Sequence, residues 1–300
     1  MKEVSMILSS YDYKKRYLPY LDFTILSNTN SLQVYKVEEY LTGIIKPVSP
    51  YRTAFSFVIF IVQGEFEQLI NFQNYRISAG ECLHVKQGVW TATHYLSEDI
   101  KGFIVFYESD IFTQYLLMHN KKEEVRYMPY YKLNYYDVQA LTASMLLLYG
   151  ELGQPENRPS IYVPIFYSIL SRLNYYTDNY TFTSRDLEIA FKFKELVIES
   201  HIREKSVSYY ANQLCLSENY LNRCIKKIIG RSAKQFINEV ILEYAKLLLL
   251  NSTRDIAEIA HELHFPSPSY FSKFFRKEMG MSPHEFRIKE RLYMEEVLNR

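Results

Sequence analysis

Between about Val37 and Tyr107, apolar and polar side chains alternate with the short period of β-strands. The run AFSFVIFIV (Ala54–Val62) is β-branched and aromatic, and Gly64 follows it as a turn residue. FEQLIN, FQNY, SAGECLHV, QGVWTATHY and KGFIVFY continue the pattern, with Gly80, Gly88 and Gly102 as breaks. Strands this short and this regularly interrupted predict an antiparallel sandwich or small barrel. After Tyr131 the period lengthens. NYYDVQALTASMLLLY and IYVPIFYSILSRLNYY predict two helices, residues 134–149 and 161–176, on either side of the loop GELGQPENRPS. Pro164 suits only the beginning of the second. The polar stretch TDNYTFTSRD sets a domain boundary near Asn179–Ser184, and everything past Asp186 reads as helix with short breaks.

Within that helical half a pattern occurs twice. SENYLNRCIKKIIG (Ser217–Gly230) and SPSYFSKFFRKEMG (Ser267–Gly280) share Ser, Tyr, Lys and Gly in register, and GRSAKQF and GMSPHEF extend the likeness. A repeat of this kind marks a duplicated supersecondary unit. Tyr220, Leu221, Cys224, Ile225 and Ile228 fall on one helical face of the first copy, and Asn219, Asn222, Arg223 and Lys226 on the opposite one. In the second copy Tyr270, Phe271, Phe274 and Phe275 form the apolar stripe, and Ser269, Ser272, Lys273 and Arg276 the polar one. A shorter helix and a tight turn precede each: YYANQL then CLS, EIAHEL then HFPS. Ala211 and Ala260 supply the small side chain that lets two such helices cross closely. This is the arrangement of a helix-turn-helix, whose second helix enters the major groove of DNA. Ser232…Gln235 and Ser282…Glu285 have capping-box spacing, with Pro283 at a first helical position. From Ser232 to Leu250, Phe236, Val240, Ile241, Tyr244 and Leu248 recur at helical spacing, which predicts a helix bracing both copies.

Composition changes this picture little. The 300 residues suit two domains, and 48% hydrophobic with 23% charged residues excludes disorder. Net charge is +1, so any attraction to phosphate depends on how charges are sorted onto faces. They are sorted. Residues 217–234 carry Arg223, Lys226, Lys227, Arg231 and Lys234 against Glu218 alone, and residues 267–277 carry Lys273, Arg276 and Lys277 with no acid. Cys82, Cys215 and Cys224 form no CxxC pair and read as small hydrophobes of a reducing compartment. The N-terminus has no signal-peptide pattern and no apolar run is long enough to span a bilayer, so a cytoplasmic protein without a membrane partner is expected.

Ile259-Ala260-His261-Glu262-Leu263-His264-Phe265, Ser269-Tyr270-Phe271-Ser272-Lys273-Phe274-Phe275-Arg276-Lys277 and Gly280-Met281-Ser282-Pro283-His284-Glu285-Phe286-Arg287 resemble the signature of the AraC/XylS family of transcriptional regulators. The likeness covers about residues 190–290. It implies two helix-turn-helix units on a long shared helix, with Asn219, Asn222, Arg223, Ser269, Ser272 and Lys273 reading bases and Lys226 and Arg276 meeting phosphates. Three residues depart from the family pattern: His264 stands where glycine is usual, Ile241 where arginine is common, and Ile225 replaces an aromatic. The stretch VQGEFEQLINFQNYRISAGECLHVKQG is similar to the cupin-type sensor of this family. Tyr51-Arg52-Thr53 and Thr91 stand near the positions where enzymatic cupins place metal ligands, and His84 and His94 lack a carboxylate beside them, so no metal or other cofactor is expected. Phe55, Phe57, Phe60 and Phe66 line either a ligand pocket or a dry core.

The expected fold is therefore two-domain α+β. A cupin-like antiparallel β-barrel (1–130) is followed by a helical pair for dimerisation (131–183) and an all-α double helix-turn-helix (184–300). The expected function is sequence-specific DNA binding controlled by a small-molecule effector in the N-terminal domain, in a homodimer, with RNA polymerase left open as a partner. Two other readings are a cupin-type enzyme with a helical appendage and a helical module that binds an acidic protein.

Overall fold

A computed structural model describes residues 7–45, 48, 50–119, 128–178, 184–252 and 254–298. The described residues form two compact units, 7–178 and 184–298. Most of the expected boundary, residues 179–183, lies outside the described residues.

The first unit holds ten strands: β1 (Ile7–Leu8), β2 (Leu32–Lys36), β3 (Tyr51–Thr53), β4 (Ser56–Gln63), β5 (Glu65–Ile70), β6 (Gln73–Ser78), β7 (Glu81–Val85), β8 (Trp90–Leu96), β9 (Lys101–Tyr107) and β10 (Tyr130–Lys132). They make two five-stranded sheets, ordered β1-β3-β8-β5-β6 and β10-β7-β4-β9-β2. All pairings are antiparallel except β1 with β3. The expected barrel is thus an open sandwich. From β4 to β9 the chain switches sheet at four of its five connections, and the switches keep the two ladders separate.

Six helices complete this unit: α1 (Ser10–Tyr17), α2 (Phe23–Ser27), α3 (Val37–Tyr40), α4 (Ser109–Met118), α5 (Tyr135–Leu152) and α6 (Pro159–Asp178). The strand alternation foretold none of the first four, and Val37, the expected start of the sheet region, begins the helical turn α3. β4 is apolar almost throughout because both of its faces are covered. Phe57, Ile59 and Ile61 pack into the sandwich, while Val58 and Phe60 pack against the layer of α4, α5 and α6. β9 divides the same way, with Ile104 and Phe106 inward and Phe103, Val105 and Tyr107 toward the helices. Gly102 is required there, since a Cβ would collide with the carbonyl oxygen of Phe60. Asp137 of α5 ties the helical pair together through Arg172 and the Tyr176 hydroxyl of α6, the latter at 2.6 Å. Pro164 sits in the second turn of α6.

Phe55, Phe57 and Phe66 fill the space between the sheets, and Phe60 lies outside it. A void lined by Tyr13, Tyr51, Phe66, Gln68 and Thr93 among others measures about 10 Å³, room for one water.

The second unit is entirely helical: α7 (Arg185–Ser200), α8 (Val207–Gln213), α9 (Glu218–Ile229), α10 (Ala233–Asn251), α11 (Ile256–Glu262), α12 (Pro268–Met279) and α13 (Pro283–Leu298). Its core gathers Phe193, Tyr210, Leu221, Ile225, Ile241, Leu248, Leu263, Phe271 and Phe275, all essentially inaccessible. Val240, Ile241, Tyr244 and Leu248 of α10 are buried as their spacing predicts, with Phe236 half-buried. Ile225, in place of an aromatic, is fully buried, and so is Ile241.

Candidate nucleic-acid interface

Each copy of the repeat is built by the same local devices. Ser217 and Ser267 cap α9 and α12, their hydroxyls accepting from the Tyr220 and Tyr270 amides at 3.3 Å. Gly230 and Gly280 end these helices in the left-handed region, at φ 80° and 77°, where a Cβ is costly. Before each helix the turn is closed by matching backbone bonds, Leu216 N to Ala211 O and Phe265 N to Ala260 O, both 2.9 Å. Those bonds need one residue of positive φ in each turn. Cys215 supplies it at 55° and His264 at 50°. The His264 departure from glycine therefore leaves the turn geometry intact. Pro266 makes the second turn one residue longer before it rejoins at Ser267.

Capping boxes start both following helices. Ser232 and Gln235 satisfy each other's backbone amides at α10, and Ser282 and Glu285 do so at α13, with Pro283 as its first residue. Serine's donors hold the Glu285 carboxyl below its ordinary pKa.

The polar faces lie at the surface. Asn219, Arg223, Lys226, Ser269, Lys273 and Arg276 are exposed, and Asn222 and Ser272 are half-buried. Asn222 has a structural tie as well, because its carboxamide oxygen accepts from the Ala233 amide at 3.1 Å. The second copy cannot repeat this bond, since Pro283 stands in Ala233's place without an N–H. Arg223 lies over the Tyr220 ring, 4.9 Å from its centroid, which orients the guanidinium along the helix surface. Arg276 is 3.9 Å from Glu285, both well exposed.

Two of the basic residues counted from the sequence are neutralised locally. Lys227 reaches Asp186 of α7 at 2.6 Å, and Arg231 pairs with Glu239. Hydrogen bonds from Lys227 and the Cys224 thiol hold the Asp186 carboxyl low, and Asp186 in turn raises Lys227. Lys205 donates to the backbone oxygens of Ile202 and His264, and Lys234 to that of Lys205, so a lysine chain joins the two helix-turn-helix copies near the second turn.

The apolar stripes differ from the expected ones at their edges. Leu221, Cys224, Ile225, Phe271 and Phe275 are buried. Tyr220 and Phe274 are only half-buried, and Ile228 and Tyr270 are 37% and 63% exposed. A helix buries about half its circumference, and these four stand at the limits of that arc. Tyr270 thus belongs to the open face of α12, an assignment that an apolar stripe alone conceals.

Two helix-turn-helix units of like construction, joined through a 19-residue helix, make this a double helix-turn-helix domain. Residues 210–289 match the family described as Helix-turn-helix domain. This match makes residues 210–289 a helix-turn-helix domain, and their signature residues resemble those of the AraC/XylS type. The HTH-type transcriptional regulator YisR of Bacillus subtilis is 31% identical over 91 residues, 30% of this chain and 32% of that protein. The transcriptional activator RhaS of Escherichia coli is 24% identical over 242 residues, 77% of this chain and 84% of its own. The C-terminal domain of AraT, a response regulator from Geobacillus stearothermophilus, shares 30% identity over 35% of this chain and 88% of its own, with a TM-score of 0.34. Several curated relatives, YisR among them, are matched over only about a third or less of their own length, 32%, 22% and 34%.

Among the described residues no group of three or more His, Cys, Asp or Glu is placed to hold a metal ion. No helix among them is long and apolar enough to cross a membrane. His84 is buried against the Tyr107 hydroxyl, and His94 lies 4.0 Å from Glu67.

Proposed function

We propose that this protein is a sequence-specific DNA-binding transcriptional regulator whose N-terminal unit binds a small-molecule effector. One observation carries the reading: the same exposed, basic and hydrogen-bonding helix face is built twice, by the same caps and turns, in one domain. At 1.5 Å per residue α10 is about 28 Å long, close to the ~34 Å between successive major grooves on one side of a duplex. Asn219, Asn222, Arg223, Ser269, Ser272 and Lys273 are the base-reading residues in this reading, and Lys226 and Arg276 bind phosphates. The protein acts as a cytoplasmic homodimer through α5 and α6, whose surfaces expose Tyr135, Tyr136, Leu146, Leu147 and Tyr175 to solvent. RNA polymerase is a further partner in this reading, and no catalytic role is assigned.

The void beside Tyr13, Tyr51, Phe66, Gln68 and Thr93 has room for one water, so an effector entering there displaces wall side chains. Such a ligand favours one packing over another, which is the differential binding that a regulatory switch needs. The test is to map bound genomic fragments and titrate one across salt concentrations. Affinity should fall steeply and log-linearly with salt. Equal affinity for all fragments, or binding indifferent to salt, would defeat the reading.

A further inference from the structure

In α12 the open sector carries Ser269, Tyr270, Lys273, Arg276 and Lys277, while Phe271 and Phe275 turn into the core. Four of these five are donors suited to phosphates and base edges. The fifth is an aromatic ring left 63% exposed. Its counterpart Tyr220 is half-buried and lies under the Arg223 guanidinium, so in the first unit the ring serves to orient an arginine. The neighbouring edge of α9 is also engaged by another helix. Asp186, from the start of α7, holds Cys224 at 3.2 Å and Lys227 at 2.6 Å. On α12 Phe274, which matches Cys224, is half-buried, while Tyr270 and Lys277, which match Tyr220 and Lys227, are exposed. Two units that descend from one pattern thus present different chemistry at the same place.

A tyrosine ring kept in water forgoes the burial that such a side chain ordinarily gains. Tyr270 does so in the first turn of α12, the part of a recognition helix that reaches base edges, between two hydrogen-bonding residues of the same face. In the major groove the base edges offer one apolar group, the 5-methyl of thymine. Resting on the DNA-binding reading above, we infer that Tyr270 reads a thymine in the half-site of the second unit through its 5-methyl group. The first unit, with Asn219 and Arg223 exposed and Tyr220 covered, reads by hydrogen bonds. The two halves of one binding site are therefore chemically unlike.

The test uses the full-length protein and a bound operator fragment whose thymidines are replaced one at a time by deoxyuridine, which lacks only that methyl. Wild type should lose about fourfold in affinity at one thymine, the size expected for exposing one methyl group. Tyr270→Ala should bind the thymine and uracil duplexes equally at that position, and Tyr270→Phe should behave as wild type. An unchanged melting temperature for Tyr270→Ala shows that the fold is not the cause. Discrimination retained by Tyr270→Ala, or a wild type indifferent to every replacement in a site it binds specifically, overturns the inference and leaves the regulator reading standing. Failure to bind any fragment specifically overturns both.

Discussion

Asn222 and Arg223 are adjacent on α9, yet different forces hold them. Arg223 is exposed, lies over the Tyr220 ring and helps to lower the Asp186 carboxyl, so Arg223→Ala should change stability little and cost about 1–3 kcal/mol of binding at one base position. Asn222 also accepts from the first amide of α10. Asn222→Ala should therefore lower stability by about 1 kcal/mol in addition to weakening DNA binding, a split that melting curves and gel shifts on the same pair of variants would reveal. Away from the interface, burial depresses the His84 pKa to about 3, with Lys86 adding to the effect. Since the folded pKa lies below the unfolded value of 6.5, the unfolded chain takes up a proton that the folded one refuses between these limits. Stability should be level above pH 6.5 and fall as pH drops, by about 2 kcal/mol at pH 5 from this group. His84→Gln should lose correspondingly less between pH 7 and pH 5 in urea titrations; equal losses would show that other groups govern acid unfolding.

At the scale of elements, the two turns use a residue that a left-handed position does not favour. His264→Gly keeps both turn bonds and removes the Cβ penalty, so it should stabilise the second unit by up to about 1 kcal/mol without changing DNA affinity. The buried stripe of α12 makes the opposite prediction. Phe271→Ala or Phe275→Ala opens a cavity in the core and should cost about 3–5 kcal/mol, whereas half-buried Phe274, packed on Phe265, should cost clearly less. Equal losses at the three positions would mean that the second unit packs more loosely than its fully buried rings indicate.

For the molecule as a whole, the consequence lies in the pair α5 and α6. Leu147 is exposed on a helix whose opposite side, Leu141, Met145 and Leu148, is wholly buried. If that outer face joins two copies, Leu147→Lys should shift the protein to monomer by light scattering while leaving its circular dichroism unchanged. DNA affinity should drop with it, because a monomer loses the gain from two linked domains.

Local rules made much of this protein legible in its sequence. Caps, glycines at C-termini, the alternation of β4 through β9 and the duplicated helix faces all act within a few residues of one another, so the chain spells them out. So did the signature that places Ser269 through Arg276 on the second helix of a helix-turn-helix. Tertiary structure decided what depends on distant partners. Whether ten strands close into a barrel or part into two sheets turns on which strand each connection reaches, and not on period. Continuous burial of β4 required helices from residues far along the chain. Tyr220 and Tyr270 occupy the same position of one repeat, but their different neighbours leave the first half-buried beneath Arg223 and the second exposed.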